Sequence, residues 1–338
     1  MEVLVIRGKE KQGTCKVERI LSMFERFSKK QIICKKEEAA CFGVDEKTIQ
    51  RDIDDLKNYF SHFELGKEAG EIQYCKKQHG YILNGSSNNW LDKEQILAIA
   101  KVILESRAFS NQEMYDLLNR LVLQCYPVEA KFIKKMIQNE QKNYVAVRHG
   151  KPLLKSIWEL SHAVQEQKFV KLYYERTDQK IVERLVKPLG VTFAEYYFYL
   201  IAEIYDWKYE EPVPYRLDRI RSYSITDEKF RISYASRFEE GEFRKRVQFM
   251  QPGKLMTIYL KYWGKSEEAI RDRLPTSEII KRERDAVFIK AEVFGYGIKM
   301  WLLSQAKYLE VIGPAWLREE MKETIAEMLA NYLKNDSV

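Results

Sequence analysis

The sequence has no stretch that could cross a membrane and no secretion signal. A membrane helix needs about 20 consecutive apolar residues, whereas the longest apolar stretch, Phe193 to Tyr205, is interrupted by Glu195 and Glu203. The N-terminal segment Met1 to Gln12 is charged at five positions and lacks the apolar core and cleavage site of a signal peptide. These absences predict a cytoplasmic protein without a membrane partner.

Sequence signatures of common enzymes are also missing. The chain contains no GxSxG nucleophile elbow, no HExxH metal motif, no phosphate-binding P-loop and no dinucleotide-binding glycine motif. None of its four histidines has a serine, cysteine or acidic partner in a known catalytic order. The sequence therefore predicts a protein that is not an enzyme and that needs no cofactor.

Cysteines are few, and their spacing favours neither a disulfide framework nor a zinc site. The five cysteines are an odd number and include no CxxC pair. Cys75 and His79 have a CxxxH spacing, but no second pair of ligands accompanies them. We therefore expect reduced cysteines and no bound metal.

The net charge is positive but is not concentrated at one end of the chain. The formal charge of +7 over 338 residues favours an anionic partner without identifying it. Residues 1–85 hold 16 Lys and Arg against 14 Asp and Glu. Because this local excess is small, nucleic-acid binding has to be argued from where the basic residues lie. The length predicts about two or three folded domains.

The first part of the chain has the pattern of three short helices. Apolar residues at helical spacing predict helices at residues 17–27, 35–42 and 46–60, with a glycine-containing turn before the third. Asp45 is a suitable N-cap for this third helix. Its candidate DNA-binding residues are Lys47, Thr48, Gln50 and Arg51. Basic and amide side chains at the start of a helix that follows a tight turn are typical of a helix-turn-helix.

A basic hairpin is predicted directly after these helices. Residues 71–74 and 81–84 have the composition of two short strands, and Lys76 to Gly80 form the turn between them. At the tip of such a wing, Lys76 and Lys77 are expected to contact the phosphate backbone of DNA. Periodicity alone favours equally well a small helical domain with a solvated basic face.

The next segment is predicted to be helical and carries no chemical motif. Helical periodicity extends from Asn89 to about Gln141, and Asp92 and Gln95 have the spacing of a capping box. A further helix is expected from Leu153 to Gln167. The helices between Trp90 and Gln141 have more apolar surface than a linker needs. We therefore expect them, together with the C-terminal region, to form the contact of a homodimer.

A β-rich segment follows, from about Phe169 to Ser233. Aromatic and β-branched runs predict short strands at residues 170–174, 184–186, 196–203 and 213–220, which favours a small barrel. The candidate ligand-binding residues on or beside these strands are Arg184, Tyr199, Arg216 and Arg219. Guanidinium groups match phosphate oxygens, and a phenol ring can stack on a base. The residues alone favour the alternative that each arginine pairs with a local acid such as Glu183, Asp218 or Glu203.

The last part of the chain alternates between strands and helices. Strands are predicted at residues 255–262, 278–282, 286–294 and 309–312. Helices are predicted at residues 266–274 and 296–308, with a final helix that ends at Leu333. This order predicts a C-terminal α+β domain.

Two regions resemble known families of regulators. Gly43 to Leu56, GVDEKTIQRDIDDL, resembles the GVS-x-RTI-x-RDI-x-x-L signature of winged helix-turn-helix regulators of the DeoR and YafY type. Glu183 to Val191 resembles the R-x-V-x-P-L-G-L strand of WYL domains. Phe198-Tyr199-Leu200 is similar to their Trp-Tyr-Leu tripeptide, and Tyr215 to Ile220 is similar to their F-R-L-D-R-I segment.

The sequence departs from these family patterns at several positions, one of which is Lys47, near the place where the regulators usually have Arg. Asp45 stands where the regulators usually have Ser, and both residues can cap a helix. Glu38 stands where they often have Leu, so the second helix is expected to pack slightly differently. Phe198 stands where WYL domains carry Trp, which preserves the apolar packing.

The resemblance implies a fold class and a function for most of the chain. The implied fold class is α+β: a winged helix-turn-helix at residues 1–86, a helical linker at 87–150, an Sm-like β-barrel (the WYL domain) at 151–240 and a ferredoxin-like extension (WCX) at 250–338. The implied function is a transcriptional regulator that binds double-stranded operator DNA as a homodimer. Its WYL domain would sense a single-stranded nucleic acid or a nucleotide through Arg184, Tyr199, Arg216 and Arg219.

A different function is also compatible with the sequence. An Sm-like barrel with basic and aromatic side chains suits an RNA-binding or single-stranded nucleic-acid-binding protein that binds no operator. Binding to duplex DNA that depends on Arg51 would distinguish the regulator from this alternative.

Overall fold

The computed structural model describes residues 15–28, 31–62, 71–84, 91–125, 127–205, 211–231 and 238–333. Outside these residues lie Met1 to Gln12, the predicted domain boundary at residue 86, the predicted helical start at Asn89 and Trp90, and Ser233. The chain divides into two compact units. The first comprises residues 1–101 and 117–142, and the second comprises residues 102–116 and 143–338.

Three helices and a hairpin form the start of the first unit. They are α1 (Lys16–Ser28), α2 (Lys35–Phe42), α3 (Glu46–His62), β1 (Glu71–Cys75) and β2 (Gly80–Asn84). The two strands pair antiparallel across the predicted turn. The three helices and two strands expected from the sequence are therefore confirmed, with ends that differ by at most two residues.

One apolar face of each helix forms the core of this domain. Met23 and Phe27 of α1 and Ile49 and Ile53 of α3 are fully buried, because they recur at helical spacing. The hairpin contributes three further residues to the same cluster, Ile72, Tyr81 and Leu83.

Two glycines of this domain occupy positions that a larger residue would strain. Gly43 follows α2 with a φ of 66°, a left-handed conformation that glycine adopts without a Cβ clash. At Gly80 a Cβ would lie 2.4 Å from Cγ2 of Ile32. The space left by the missing Cβ allows Ile33 and Tyr81 to exchange two backbone hydrogen bonds of 2.9 and 2.8 Å. These bonds tie the hairpin to the segment before α2.

Two ion pairs among these helices have a buried carboxylate. Arg19 Nε donates to Asp52 Oδ2 at 2.9 Å, and the two side chains are only 8% and 2% exposed. Arg26 donates to both carboxylate oxygens of Glu38, which is 4% exposed. The second pair explains how a buried glutamate can stand where the similar regulators often have Leu, because α1 supplies its counter-charge.

Three further helices follow the hairpin. They are α4 (Lys93–Ser106), α5 (Asn111–Val122) and α6 (Pro127–Lys142). The predicted capping box precedes α4: Asp92 N–H donates to Gln95 Oε1 at 3.0 Å, and Gln95 N–H donates to Asp92 Oδ1 at 2.8 Å. The helical character of this segment is thus confirmed for its described residues.

A five-stranded antiparallel sheet packs on helix α7 (Leu154–Glu166) in the second unit. Its strands are β3 (Lys168–Glu175), β4 (Ile181–Ala194), β5 (Tyr197–Ile204), β6 (Val213–Arg216) and β7 (Ile220–Lys229). Their order across the sheet is β6-β5-β4-β3-β7. The core between helix and sheet includes Leu160, Leu172, Val186 and Leu200.

The expected Sm-like barrel is wrong in one respect, since this sheet is not closed. Among the described residues, no hydrogen-bonded ladder joins the two edge strands β6 and β7. The single strand predicted at 213–220 is also wrong, because a 3-10 turn, Leu217–Arg219, interrupts it. The turn buries Leu217 and Asp218. It redirects the chain, so that β7 pairs with β3 and does not continue beside β5.

The C-terminal part of the second unit is a four-stranded antiparallel sheet covered by helices. Its elements are β8 (Leu255–Tyr262), α9 (Glu267–Arg273), β9 (Glu278–Arg282), β10 (Val287–Phe294), α10 (Gly297–Ser304), β11 (Leu309–Gly313) and α11 (Ala315–Leu333), preceded by α8 (Glu240–Arg246). The sheet order is β11-β8-β10-β9. The β-α-β-β-α-β sequence of elements is that of the ferredoxin-like unit. The helix predicted at 296–308 ends at Ser304 and is followed by a short 3-10 turn.

An apolar cluster joins the two sheets of the second unit. Tyr199 and Ile201 of β5 pack with Phe243 of α8, Val247 and Phe294. Val247 and Phe294 also form a single parallel β-bridge. The C-terminal domain therefore packs directly on the strand that carries Tyr199.

Candidate functional site

The first turns of α3 present a basic surface. The Asp45 carboxylate accepts a hydrogen bond from the Thr48 N–H at 2.6 Å, which caps the helix as predicted and lowers the pKa of Asp45. Lys47 and Arg51 are exposed, and Thr48 is half-buried. Neither cationic side chain donates to a described residue, so both charges are accessible to an anionic partner.

Gln50, by contrast, is engaged by other residues of the same domain. Its Oε1 accepts from the Tyr81 hydroxyl at 2.8 Å and from Lys35 Nζ at 3.0 Å, while its Nε2 donates to Asp54 at 3.0 Å. The Lys35 and Lys57 ammonium groups also lie 5.8 and 5.1 Å from the centre of the Tyr81 ring. The sequence alone does not indicate this arrangement, because no local pattern marks a contact between residues 31 positions apart.

Both lysines at the tip of the hairpin are exposed. Lys76 and Lys77 lie in the turn after β1, in which His79 adopts a φ of 50°. Neither lysine forms an ion pair with a described residue. The tip therefore carries two solvated positive charges, and their contact with DNA stays a prediction.

The best-defined charge cluster of the second unit surrounds Arg216, at the end of β6. Its Nε and Nη2 atoms donate to the two carboxylate oxygens of Asp218 at 3.0 and 2.7 Å, and Asp218 is 6% exposed. The guanidinium carbon lies 3.4 Å from the centre of the Tyr197 ring, a cation–π contact. Asp218 uses two of the five guanidinium N–H groups. About three donors therefore remain for a ligand.

Tyr199 lies opposite Arg216 on the neighbouring strand, but its ring is buried. It is 9% exposed and packs in the cluster with Phe243. A base therefore cannot stack on Tyr199 in this structure. Tyr197, which the sequence analysis did not single out, is half-buried and presents its ring to Arg216 instead.

The other two candidate ligand residues lie elsewhere on the sheet. Arg219 Nη1 donates to the Thr177 hydroxyl at 3.3 Å, in the turn between β3 and β4. Arg184 Nη1 donates at 3.0 Å to a backbone carbonyl of its own strand, in the first half of β4. Tyr199 pairs with the second half of that strand. The structure therefore brings Tyr199 and Arg216 together, without Arg184 beside them.

A loop before α7 completes the surroundings of Asp218. Lys151 Nζ donates to the backbone carbonyl oxygen of Asp218, and the Lys151 backbone N–H donates to His149 Nδ1 at 3.0 Å. The second bond places the proton of a neutral His149 on Nε2. Burial lowers the pKa of His149 below its ordinary value of 6.5, with Asp218 opposing this shift and Arg216 adding to it. The ring is therefore neutral at neutral pH.

Alkaline pH is expected to destabilise the second unit through two buried tyrosines. Burial raises the pKa of Tyr199 and of Tyr215 to about 12, whereas an unfolded tyrosine ionises near about pH 10. Because the folded pKa is the higher one, this contribution to stability is complete below about pH 10 and is lost as the pH rises to about 12. The contribution is on the order of 3 kcal/mol for each tyrosine.

Urea unfolding between about pH 9 and pH 12 measures this loss. A double variant, Tyr199→Phe with Tyr215→Phe, should lose less stability over this range than the wild type does. Tyr196→Phe is the matched control, because Tyr196 is 44% exposed, and it should behave like the wild type. An equal loss in the double variant and the wild type would show that the two buried hydroxyls do not titrate with unfolding.

The described residues contain no ligand cluster for a metal ion. No three His, Cys, Asp or Glu side chains in this part of the chain could hold a metal together. All five cysteines lie within it and are free thiols. No helix among the described residues is both long enough and apolar enough to cross a membrane.

Comparison with protein families assigns both domains of the second unit. Residues 157–225 match the model of the WYL domain, and residues 254–329 match the model of the WCX domain. The chain contains a WYL domain and, after it, a WCX domain. The five-stranded sheet that carries Arg216 belongs to the WYL domain, and the four-stranded sheet belongs to the WCX domain.

Solved structures show weaker similarities to this WYL- and WCX-domain chain. Proteasome accessory factor B/C (PafBC) of Arthrobacter aurescens is 14% identical over 98% of this chain and 51% of that chain, with a TM-score of 0.33. A CRISPR Cas-related protein is 15% identical over 73% and 75% of the two chains, with a TM-score of 0.36. The manganese regulator SloR is 16% identical over 61% and 96%, with a TM-score of 0.13. The present chain thus spans about half the length of the PafBC chain. No curated protein matches its sequence.

Proposed function

We propose that this protein is a transcriptional regulator that binds operator DNA through its N-terminal domain and senses an effector through its WYL domain. The observation that carries the proposal is the exposed basic surface of α3, where Lys47 and Arg51 follow a capped helix start. Helices α1 to α3 and the hairpin follow one another in the order of a winged helix-turn-helix. The WYL and WCX domains in the same chain support a regulatory role.

In this proposal α3 is the recognition helix and enters the major groove. Ile49 and Ile53 bury the opposite face of α3, so Lys47 and Arg51 are presented to solvent. An arginine can donate two hydrogen bonds to one guanine edge, and a lysine can contact phosphates. Gln50 has its amide groups occupied by partners in the same domain. We therefore assign Gln50 to the positioning of the hairpin and not to base recognition.

The effector site is proposed to lie at Arg216 in the WYL domain. The N–H groups that Asp218 leaves unused suit phosphate oxygens, and the adjacent ring of Tyr197 suits a base. This combination favours a nucleotide or a single-stranded nucleic acid as the effector. Because an unpaired buried carboxylate is costly, we expect the ligand to bind while the pair between Arg216 and Asp218 stays intact.

Arg51→Ala is expected to weaken binding to the operator duplex. If Arg51 contacts a base, the loss should be about 1–3 kcal/mol. If it contacts a phosphate, the slope of log affinity against log salt concentration should fall by about one. Fluorescence anisotropy at several salt concentrations, with duplex DNA from upstream of the protein's own gene, measures both quantities.

Arg148→Ala is the matched control for this experiment, since it removes another exposed arginine that lies outside the N-terminal domain. It should change neither the affinity nor the salt slope. If Arg51→Ala keeps the wild-type duplex affinity and the wild-type salt slope, Arg51 does not lie in the DNA interface. A wild-type preference for single-stranded DNA or RNA over the duplex would favour a single-stranded nucleic-acid-binding protein instead.

We also propose that the regulator is a homodimer, since two copies are needed to bind two half-sites related by two-fold symmetry. Two helix faces are candidates for the contact. Phe132 and Met136 lie one turn apart on α6, and Ile325 and Leu329 lie one turn apart on α11. All four side chains are between 52% and 59% exposed.

Glutamates at the true interface should convert the dimer to a monomer, because they would bury charge against apolar surface. The two variants are Phe132→Glu with Met136→Glu, and Ile325→Glu with Leu329→Glu. Each is the control for the other, and the mass from light scattering should halve only in the variant that lies in the contact. A wild-type protein that is monomeric in the presence of operator DNA would contradict the dimer.

A further inference from the structure

Three consecutive residues of the hairpin between β4 and β5 each contact an arginine side chain. These residues are Glu195, Tyr196 and Tyr197, and each arginine comes from a different part of the second unit. The pairs are Arg273 Nη2 with Glu195 Oε1 at 3.1 Å, Arg107 over the Tyr196 ring at 5.3 Å and Arg216 over the Tyr197 ring at 3.4 Å. Arg273 belongs to the WCX domain and Arg216 to the WYL domain. The hairpin is therefore a point at which arginines from the WYL domain, the WCX domain and the segment between α4 and α5 come together.

A fourth arginine, Arg244 of α8, lies near the same hairpin. It is exposed and makes no hydrogen bond or ion pair with a described residue. Although the residue is exposed overall, desolvation of its guanidinium group lowers the pKa of Arg244, the negative charge of Glu195 opposes this shift, and the positive charge of Arg273 adds to it. Arg244 and Arg273 thus share Glu195 as a neighbouring carboxylate, and one positive charge of the three groups is uncompensated.

Arg273 also has a donor that is not used. Its Nε atom is buried and has no hydrogen-bond partner among the described residues. Its guanidinium lies 5.3 Å from the centre of the Phe249 ring, and its partner Glu195 is 40% exposed. A buried donor without an acceptor is unfavourable, so a rearrangement of the Arg273 side chain that gave Nε a phosphate oxygen as acceptor would be stabilised.

We infer that the effector site of the WYL domain continues across this hairpin, so that Arg244 and Arg273 bind a second phosphate of a single-stranded oligonucleotide. The first nucleotide of that strand would lie at Arg216 and Tyr197. This inference rests on the proposed function of the WYL domain. It assigns a ligand-binding role to two arginines outside that domain, and the bound strand would bridge the WYL domain and the C-terminal part of the second unit.

The charges and rings of the surface fit such a strand. The four arginines face two carboxylates, those of Glu195 and Asp218, which leaves an excess of positive charge for phosphates. Tyr196 is 44% exposed and offers a ring on which a base can stack. Cations that alternate with aromatic rings along a surface are typical of sites for single-stranded nucleic acids.

The test compares a thymidine mononucleotide with a thymidine pentanucleotide, each titrated calorimetrically into the full-length protein. The mononucleotide reaches only the site at Arg216, whereas the pentanucleotide reaches both sites. In the double variant Arg244→Ala with Arg273→Ala, affinity for the pentanucleotide should fall about tenfold or more. Its salt slope should fall by about 0.7, the value for one single-strand phosphate. Affinity for the mononucleotide should not change.

Two further variants separate ligand binding from structural support. Arg271→Ala removes an exposed arginine from the same helix and should bind both ligands like the wild type. Glu195→Gln keeps both arginines and removes the carboxylate that competes with the phosphate, so the pentanucleotide should bind several-fold more tightly. Weaker binding by Glu195→Gln would show that Arg273 acts only through its ion pair, which would overturn the inference.

The remaining outcomes distinguish this inference from the proposed function. If the double variant binds the pentanucleotide as tightly as the wild type, while Arg216→Ala abolishes binding, the extension is wrong and the effector site at Arg216 stands. If the affinity of the double variant falls equally for the mononucleotide and the pentanucleotide, the extension is also wrong. If the wild type binds neither ligand, the inference and the proposed effector site are both wrong.

Discussion

Replacement of Asp52 by alanine is expected to destabilise the N-terminal domain by about 3–5 kcal/mol. The Asp52 side chain is 2% exposed, and its partner Arg19 is 8% exposed. Removal of one member of a buried ion pair leaves the other charge without compensation in a medium that solvates it poorly. Hydrogen exchange of the intact protein should therefore speed up in α1 and α3 and stay unchanged in the WYL domain.

Asp55→Ala is the matched control on the same helix. Asp55 pairs with Lys16 at 2.8 Å, but these two side chains are 48% and 59% exposed, so the loss should be less than about 1 kcal/mol. A double variant, Arg19→Leu with Asp52→Leu, should recover much of the stability because it leaves no buried charge. Equal exchange rates in Asp52→Ala and Asp55→Ala would show that the buried pair does not hold α3 in place.

The second large effect is expected at Glu113, a carboxylate of α5 that is 8% exposed. Its Oε1 accepts hydrogen bonds from the backbone N–H groups of Leu153 and Leu154 at 2.7 and 3.0 Å, at the start of α7. Its Oε2 accepts from the N–H and hydroxyl of Ser110. No side chain of the N-cap residue itself caps α7. Glu113 therefore caps that helix from 40 residues away, and its charge lies at the positive end of the helix dipole.

Glu113→Ala should lower the free energy of unfolding of the second unit by about 3–4 kcal/mol, because several charge-assisted hydrogen bonds of about 1.5–3 kcal/mol each are lost together. Urea unfolding measures this change, and hydrogen exchange at the start of α7 locates it. Glu113→Gln retains one acceptor oxygen and should lose less. Gln112→Ala alters the exposed neighbour and should change little. Wild-type stability of Glu113→Ala would show that α7 needs no cap from α5.

The features that the sequence predicted correctly depend on interactions within a few residues. A cap formed by the N-cap residue itself joins residues about three positions apart, and an apolar face repeats about every 3.6 residues. For this reason the Asp45 cap, the capping box of Asp92 and Gln95, and helices α1 to α3 could be placed before the structure. The alternation in β8 and β9 predicted both strands to the residue. The motifs at residues 183–191 and 215–220 led to the WYL domain, which the family comparison confirms.

Local sequence indicated the partner of a polar side chain only where the two residues are close together in the chain. The pair between Arg216 and Asp218 joins residues two positions apart, and local pairing of that kind was one of the two interpretations that the residues allowed. The partner of Gln50 is Tyr81, 31 positions away, and no pattern of either segment contains that contact. A hydrogen bond acts over about 3 Å in space but can join residues at any separation along the chain.

By itself the sequence determined most of the helices and strands, the order of the WYL and WCX domains and the chemical types available at the candidate sites, because propensity, capping and periodicity are local. Only the tertiary structure decided which of those groups meet and which are accessible. Tyr199 lost its predicted stacking surface because the C-terminal domain packs on β5, and the burial of a strand face depends on what covers it. The sheet is open because the turn at Leu217–Arg219 redirects the chain toward β3. This turn depends on the tertiary packing around Leu217 and Asp218, which it buries.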